Sequence, residues 1–170
     1  MPRQLLILRH AKSSWDTDAS NDFDRPLNKR GKKDAPRMGA WLRQQGLLLD
    51  YVVSSPAKRA KQTVLKAARE LEIKEKQIHW DPRIYDAGTS TLLEVLTDCP
   101  ADAKTVLLVG HNPGLEYLVE YLCDNVDVPA DGKLLPTAAV AHLEMPDTWD
   151  HLEPGTARLL EIIRPRSLES

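Results

Sequence analysis

The sequence predicts an α/β fold, a three-layer α/β/α sandwich with a mostly parallel central sheet and an antiparallel edge. Three observations predict it. Short apolar runs of strand length alternate with amphipathic helical segments, the pattern of a parallel sheet between helical layers. The last two strand patterns, Ala139–Glu144 and Ala157–Arg164, have no helix between them, which suits an antiparallel edge. The most reactive side chains follow three of the strand patterns directly, where an open α/β sheet binds its ligands.

Taken in order, Gln4-Leu-Leu-Ile-Leu-Arg9 reads as a buried first strand, followed by turn-rich sequence from His10 to Pro26. A helix is expected from about Asn28 to Gln45, with Ala35, Met38, Trp41 and Leu42 on its apolar face and Gly46 as its stop. Gly31, Pro36 and Gly39 weaken that helix and predict a kink or a late start. Tyr51–Ser55 reads as the second strand, with Ser55 as N-cap and Pro56 as first residue of a helix carrying Ala60, Val64, Ala67 and Leu71 inward. Residues 78–84 read as irregular or a short strand, and Thr91–Thr97 as a short helix. Thr105–Val109 is the clearest buried strand. A helix with Leu115, Leu118, Val119, Leu122 and Cys123 on one face follows it, with Asn112 expected to cap it before Pro113.

The chain of 170 residues suits one domain, residues 1–170, able to bury roughly 70% of its unfolded surface. With 42% hydrophobic and 28% charged residues it is neither disordered nor fibrous. Lys+Arg total 23 and Asp+Glu 25, a balance that argues against general affinity for nucleic acid or anionic membrane. Cys99 and Cys123 make a weak disulfide case and lack metal-ligand spacing. No signal-peptide pattern or membrane-length apolar run is present, so the expectation is a reduced cytoplasmic protein.

Arg9-His10 ends the first strand, Ser54-Ser-Pro-Ala-Lys-Arg59 follows the second, and Gly110-His111-Asn112 follows the Thr105–Val109 strand. Parallel strands would bring Arg9, His10, Arg59 and His111 to one rim. Two guanidinium groups and two helix N-termini there favour a tetrahedral oxyanion such as phosphate. Nearby cations disfavour protonation of an imidazole, leaving a lone pair free to attack phosphorus. Arginines can stabilise the equatorial oxygens of the transferring group, so the chemistry calls for no metal or cofactor.

Each residue also has a plainer reading. His10 alone can close a strand, His111 can serve a turn, and Arg59 can join the solvated face of Lys58, Lys61 and Lys66. It is the joint pattern that moves them toward a site. His79, His142 and His151 have no comparable neighbours and are assigned to structure or solvent. Asp16, Asp18, Asp22 and Asp24 lack the spacing of a calcium loop and are read as solvated. Trp15 and Phe23 could pack that loop down or meet a partner.

Leu8-Arg-His-Ala-Lys12, Leu27-Asn-Lys-Arg-Gly31, Ser54-Ser-Pro-Ala-Lys-Arg-Ala-Lys-Gln-Thr63 and Val109-Gly-His-Asn-Pro113 together resemble the histidine phosphatase superfamily, in its phosphoglycerate-mutase-like branch. The short chain and the Arg-His-Ala-Lys-Ser variant are similar to the small SixA-type phosphohistidine phosphatases. The resemblance implies His10 as the nucleophile, Arg9 and Arg59 as clamps on the phosphoryl oxygens, and His111 as a further hydrogen-bonding group. It implies that Arg25, in Asp24-Arg-Pro-Leu27, lines the phosphate pocket, and that Arg30 and Gly31 serve structure. The sequence departs from the family in two ways. Ala11 stands where a glycine is usual, and the segment that often supplies a glutamate acid offers only Asp86, a residue that also reads as a turn beside Gly88.

That second departure bears on the substrate. An alcohol leaving group needs a delivered proton, since even water has a pKa of ~15.7. A histidine leaving group, with a pKa of ~6.5, departs without a strong acid. The expected substrate is therefore phosphohistidine on a protein, within phosphotransfer signalling. The alternatives are a phosphatase of small phosphate esters with Asp86 as general acid, and a phosphoryl-binding module without turnover.

Overall fold

The computed structural model describes residues 2–15 and 18–168. Its six-stranded sheet comprises β1 (Arg3–Arg9), β2 (Tyr51–Ser54), β3 (Ile78–Trp80), β4 (Thr105–Gly110), β5 (Val140–Met145) and β6 (Arg158–Ile163). They lie in the order β3-β2-β4-β1-β5-β6. β3, β2, β4 and β1 pair in parallel, whereas β5 and β6 run antiparallel and close one edge. The predicted sandwich is the observed one.

The helices are α1 (Lys29–Gln44), α2 (Lys58–Glu70), α3 (Thr89–Thr97) and α4 (Gly114–Leu122). Strand side chains alternate between two cores, because successive residues face opposite sides of a sheet. Leu6, Leu8, Leu107 and Val109 pack with Met38 and Leu42 of α1 and Val64 of α2. Leu5, Ile7, Val106 and Leu108 pack with Leu96 of α3 and with Leu115 and Leu118 of α4. Burying a side chain such as Leu42 is worth about 1.5–3 kcal/mol, which is how each face holds its helices.

Three local expectations need correction. α1 runs unbroken from Lys29 through Pro36, capped by Asn28 Oδ1 on the Gly31 N–H at 2.9 Å, so no late start occurs. Gly31 and Gly39 are there for close approach: a β-carbon on Gly31 would stand 2.2 Å from the Lys12 carbonyl oxygen, and one on Gly39 2.4 Å from that of Ala67. Neither Ser55 nor Asn112 is a helix cap. α2 starts later, with Ala57 at its cap position, and Ser55 Oγ accepts from the Ala57 N–H at 3.2 Å. α4 follows a cis Asn112–Pro113 bond, and the Asn112 amide donates instead to the Leu135 carbonyl at 2.8 Å. In both cases a ligand-end loop separates strand from helix, and the polar side chain serves the loop.

Candidate active site

The carboxyl ends of β1, β2 and β4 are adjacent in the sheet, so register alone brings their following residues together. Arg9 pairs with Gly110 across the β1–β4 ladder, and the His10 N–H extends it by donating to the Gly110 carbonyl at 3.0 Å. The Ser55 N–H donates to the Val109 carbonyl at 3.0 Å. The His10 and His111 rings consequently lie 5.1 Å apart, centroid to centroid.

His10 is only 7% exposed. Its Nδ1 lies 2.8 Å from the Ala11 carbonyl oxygen. A carbonyl can only accept, so Nδ1 carries the proton and Nε2 keeps its lone pair. Burial lowers the His10 pKa to about 3, with His111, Arg59 and Arg9 pushing the same way. Desolvation thus outweighs the neighbouring cations as the reason the ring is neutral. His111 is lowered to about 4, again by burial first and then by Arg59. Its Nε2 pairs with Ser55 Oγ at 2.8 Å, while its buried Nδ1 has no partner among the described residues.

Ala11 takes its place without strain, for its backbone lies outside the left-handed region and its side chain is fully buried. Its N–H donates to Thr63 Oγ1 at 2.9 Å, and that hydroxyl donates to the Arg59 carbonyl at 2.7 Å. The first turn of α2 is thereby tied to the end of β1. Arg9 donates through Nη1 to the Leu135 carbonyl at 3.2 Å, leaving its buried Nε unpartnered.

Asp22 is exposed, as its reading as a solvated residue expected, yet it is also paired with the candidate site's side chains. Its Oδ2 accepts from Arg59 Nη2 at 2.9 Å and from the Tyr85 hydroxyl at 2.7 Å, and its Oδ1 from Arg25 Nη1 at 2.8 Å. Its backbone carbonyl takes Arg59 Nη1 at 2.7 Å. The Tyr85 hydroxyl, followed by Arg25 and Arg59, holds this carboxyl far below the usual carboxylate range. Spacing from the strand ends gave no sign of it, because Asp22 arrives on a loop; its place three residues before Arg25 was the available signal. Tyr85, also missed, sets its ring edge-on to His111 at 5.5 Å.

Arg25 reaches the group through Asp22, while its Nη2 and Nε anchor the loop to Ser13 Oγ at 2.6 Å and the Ser14 carbonyl at 3.1 Å. Trp15 stacks over its guanidinium at 3.3 Å, and Phe23 packs edge-on against Tyr85 at 5.1 Å. Asp86 is exposed on a left-handed turn (φ 57°) and makes no hydrogen bond or ion pair with these groups. Asp16 lies outside the described residues. Among the described residues no three His, Cys, Asp or Glu side chains are placed to hold a metal ion, and no helix is long and apolar enough to cross a membrane. Arg30 pairs with Asp34 at 3.4 Å on α1, while Cys99 and Cys123 are buried free thiols.

Comparison with known proteins decides the family. The sequence profile of the histidine phosphatase superfamily (branch 1) matches residues 5–88, spanning His10, Arg25 and Arg59. An uncharacterised protein of Mycobacterium tuberculosis is 32% identical over 164 residues, covering 94% of this chain and all of that one. The chain belongs to the histidine phosphatase superfamily. Within it, the phosphohistidine phosphatase SixA of Escherichia coli is 28% identical over 149 residues, covering 85% of this chain and 87% of that protein. The structure of a candidate phosphohistidine phosphatase SixA from Nakamurella multipartitia matches with a TM-score of 0.84 at 28% identity, covering 97% of both chains. A tungstate complex of SixA shares the fold, with a TM-score of 0.78 at 23% identity and coverage of 98% and 99%. This superfamily member is thus a phosphatase of SixA-like architecture.

Proposed function

We propose that this enzyme removes the phosphoryl group of phosphohistidine on a protein through a phosphorylated His10 intermediate. The observation that carries the proposal is the His10 tautomer: Nδ1 is committed to the Ala11 carbonyl, so Nε2 offers its lone pair. In the first step Nε2 bonds to phosphorus as the substrate's P–N bond breaks. The bonding pair passes to the departing imidazole nitrogen, which takes up a proton. Arg9, Arg59 and His111 would stabilise the oxygens of the transferring group, whose charge peaks in the transition state. Water then attacks phosphorus, the His10 P–N bond breaks, and inorganic phosphate leaves.

The substrate follows from leaving-group chemistry. Asp22 is held ionised and so has no proton to give, and Asp86 touches none of the reacting groups. An imidazole, unlike an alkoxide, departs without a strong acid. The test compares kcat/KM on a phosphohistidine peptide and an alkyl phosphate, alongside acid-free quenching in a single turnover. We expect preference for the peptide and an alkali-stable, acid-labile phosphoryl group on His10. Preference for the alkyl ester, or no adduct on the wild-type protein, would overturn the reading.

A further inference from the structure

Beyond the proposed catalytic group, the same end of the sheet carries a concavity of about 160 Å³. Its lining includes Arg30, Lys133, Arg164 and Arg166, with Asp131 as the one carboxylate. Asp131 is already taken: Arg164 Nη1 meets it at 2.8 Å, and Arg164 Nη2 donates to the Lys133 carbonyl at 2.6 Å. That pairing fixes the loop to the end of β6. Lys133 and Arg166 are exposed and form no ion pair with a described residue, while Arg30 keeps a longer contact with Asp34. The concavity therefore retains a net positive charge that the fold itself does not use.

Its position matters as much as its charge. β5 begins and β6 ends at the same sheet end where β1 delivers His10, for Leu8 pairs with Val140 and Val140 with Ile163. With strands spaced ~4.8 Å apart, the end of β6, whose following Arg164 lines the concavity, lies about 10 Å along the rim from the end of β1 that carries His10. One loop serves both places. Leu135 accepts from Arg9 and Asn112, Thr137 lines the concavity, and the Ala138 N–H donates to the His10 carbonyl at 3.1 Å.

The geometry points to a docking subsite for a carboxylate side chain of the phosphorylated protein, an inference that rests on the protein-phosphohistidine reading above. An extended chain covers ~3.3–3.6 Å per residue, so the acidic residue would lie about three positions from the phosphohistidine. Arginine and lysine at the rim of a concave surface recognise such a group through charge and hydrogen bonds.

Two measurements test it with Lys133→Ala/Arg166→Ala, which alters only exposed side chains. The first is KM for phosphohistidine peptides with Glu or Gln three residues away. The Glu peptide should bind better to the wild type, and the double variant should raise its KM by about three- to tenfold while leaving the Gln peptide unchanged. Equal KM values for the two peptides in the wild type, or an equal loss for both in the variant, would sink the subsite. The second is amide chemical-shift mapping with the unphosphorylated Glu peptide. Shifts across residues 133–137 that vanish in the variant support the subsite even if no phosphohistidine is hydrolysed, in which case the functional reading alone fails. Absence of those shifts in the wild type counts against the subsite alone.

Discussion

The floor and the mouth of the candidate active site are built by opposite means. At the floor, His10 and His111 rest on backbone ladders between β1 and β4, and burial keeps both rings neutral. At the mouth, Asp22 has a side chain 48% exposed and is held by two arginines and a tyrosine hydroxyl. The floor obtains its chemistry by excluding water, and the mouth obtains order by pairing charges. The proposed chemistry, a neutral nucleophile beside a charged clamp, calls for these two environments side by side, and Arg59, 9% exposed along its side chain, joins them.

The sharpest way to break that contrast is at the floor. His10→Ala should reduce turnover by about four orders of magnitude or more, since loss of the proposed nucleophile would leave only binding and electrostatic contributions. A cooperative thermal melt would show that the fold survives. Arg59→Ala cuts the link between the two regions and should cost about 10²–10³-fold in kcat, the effect of losing one preorganised donor to the transition state. Asp22→Ala tests the mouth alone. With Arg25 and Arg59 no longer held, kcat/KM should fall about ten- to a hundredfold, the range for hydrogen bonds to charged groups. Asp22→Asn, retaining an acceptor, should recover part of it.

Acid separates the regions in another way. The His10 pKa is about 3 in the folded protein, against 6.5 as its ordinary value. The unfolded chain therefore binds this proton first. Stabilisation from the neutral ring is complete above about pH 6.5 and is lost as pH falls toward 3. The slope approaches about 1.4 kcal/mol per pH unit for one such group. Urea unfolding at pH 7 and pH 4.5 should accordingly show a larger difference for wild type than for His10→Ala. The smallest effect is expected from Tyr85→Phe, which removes one of several partners of Asp22. A two- to fivefold loss in kcat/KM, about the worth of one net hydrogen bond, would place Tyr85 in support of the clamp.

The floor was legible in the sequence because strand ends are punctuated. A buried apolar run ending in Arg9-His10 or Gly110-His111 announces both its strand and its ligand end, and parallel pairing does the rest. The mouth was less legible, because loop residues carry no periodicity. Arg25 was found through its motif, whereas Asp22 looked like one of several loop aspartates and only its paired geometry distinguishes it. Ser55 and Asn112 misled for a related reason. Each has the chemistry of a helix cap, but the local preference lost to a longer-range partner, His111 for one and Leu135 for the other.

One hydroxyl described above reaches further than its size. Thr63 accepts a hydrogen bond from the amide of Ala11, 52 residues away in sequence, and donates one to the carbonyl of Arg59. The segments that carry His10 and Arg59 are thereby mounted on a common bracket, and the gauge between them is set before any ligand arrives. Replacing that threonine with valine would keep the bulk and remove the bracket, turning a fixed separation into a fluctuating one.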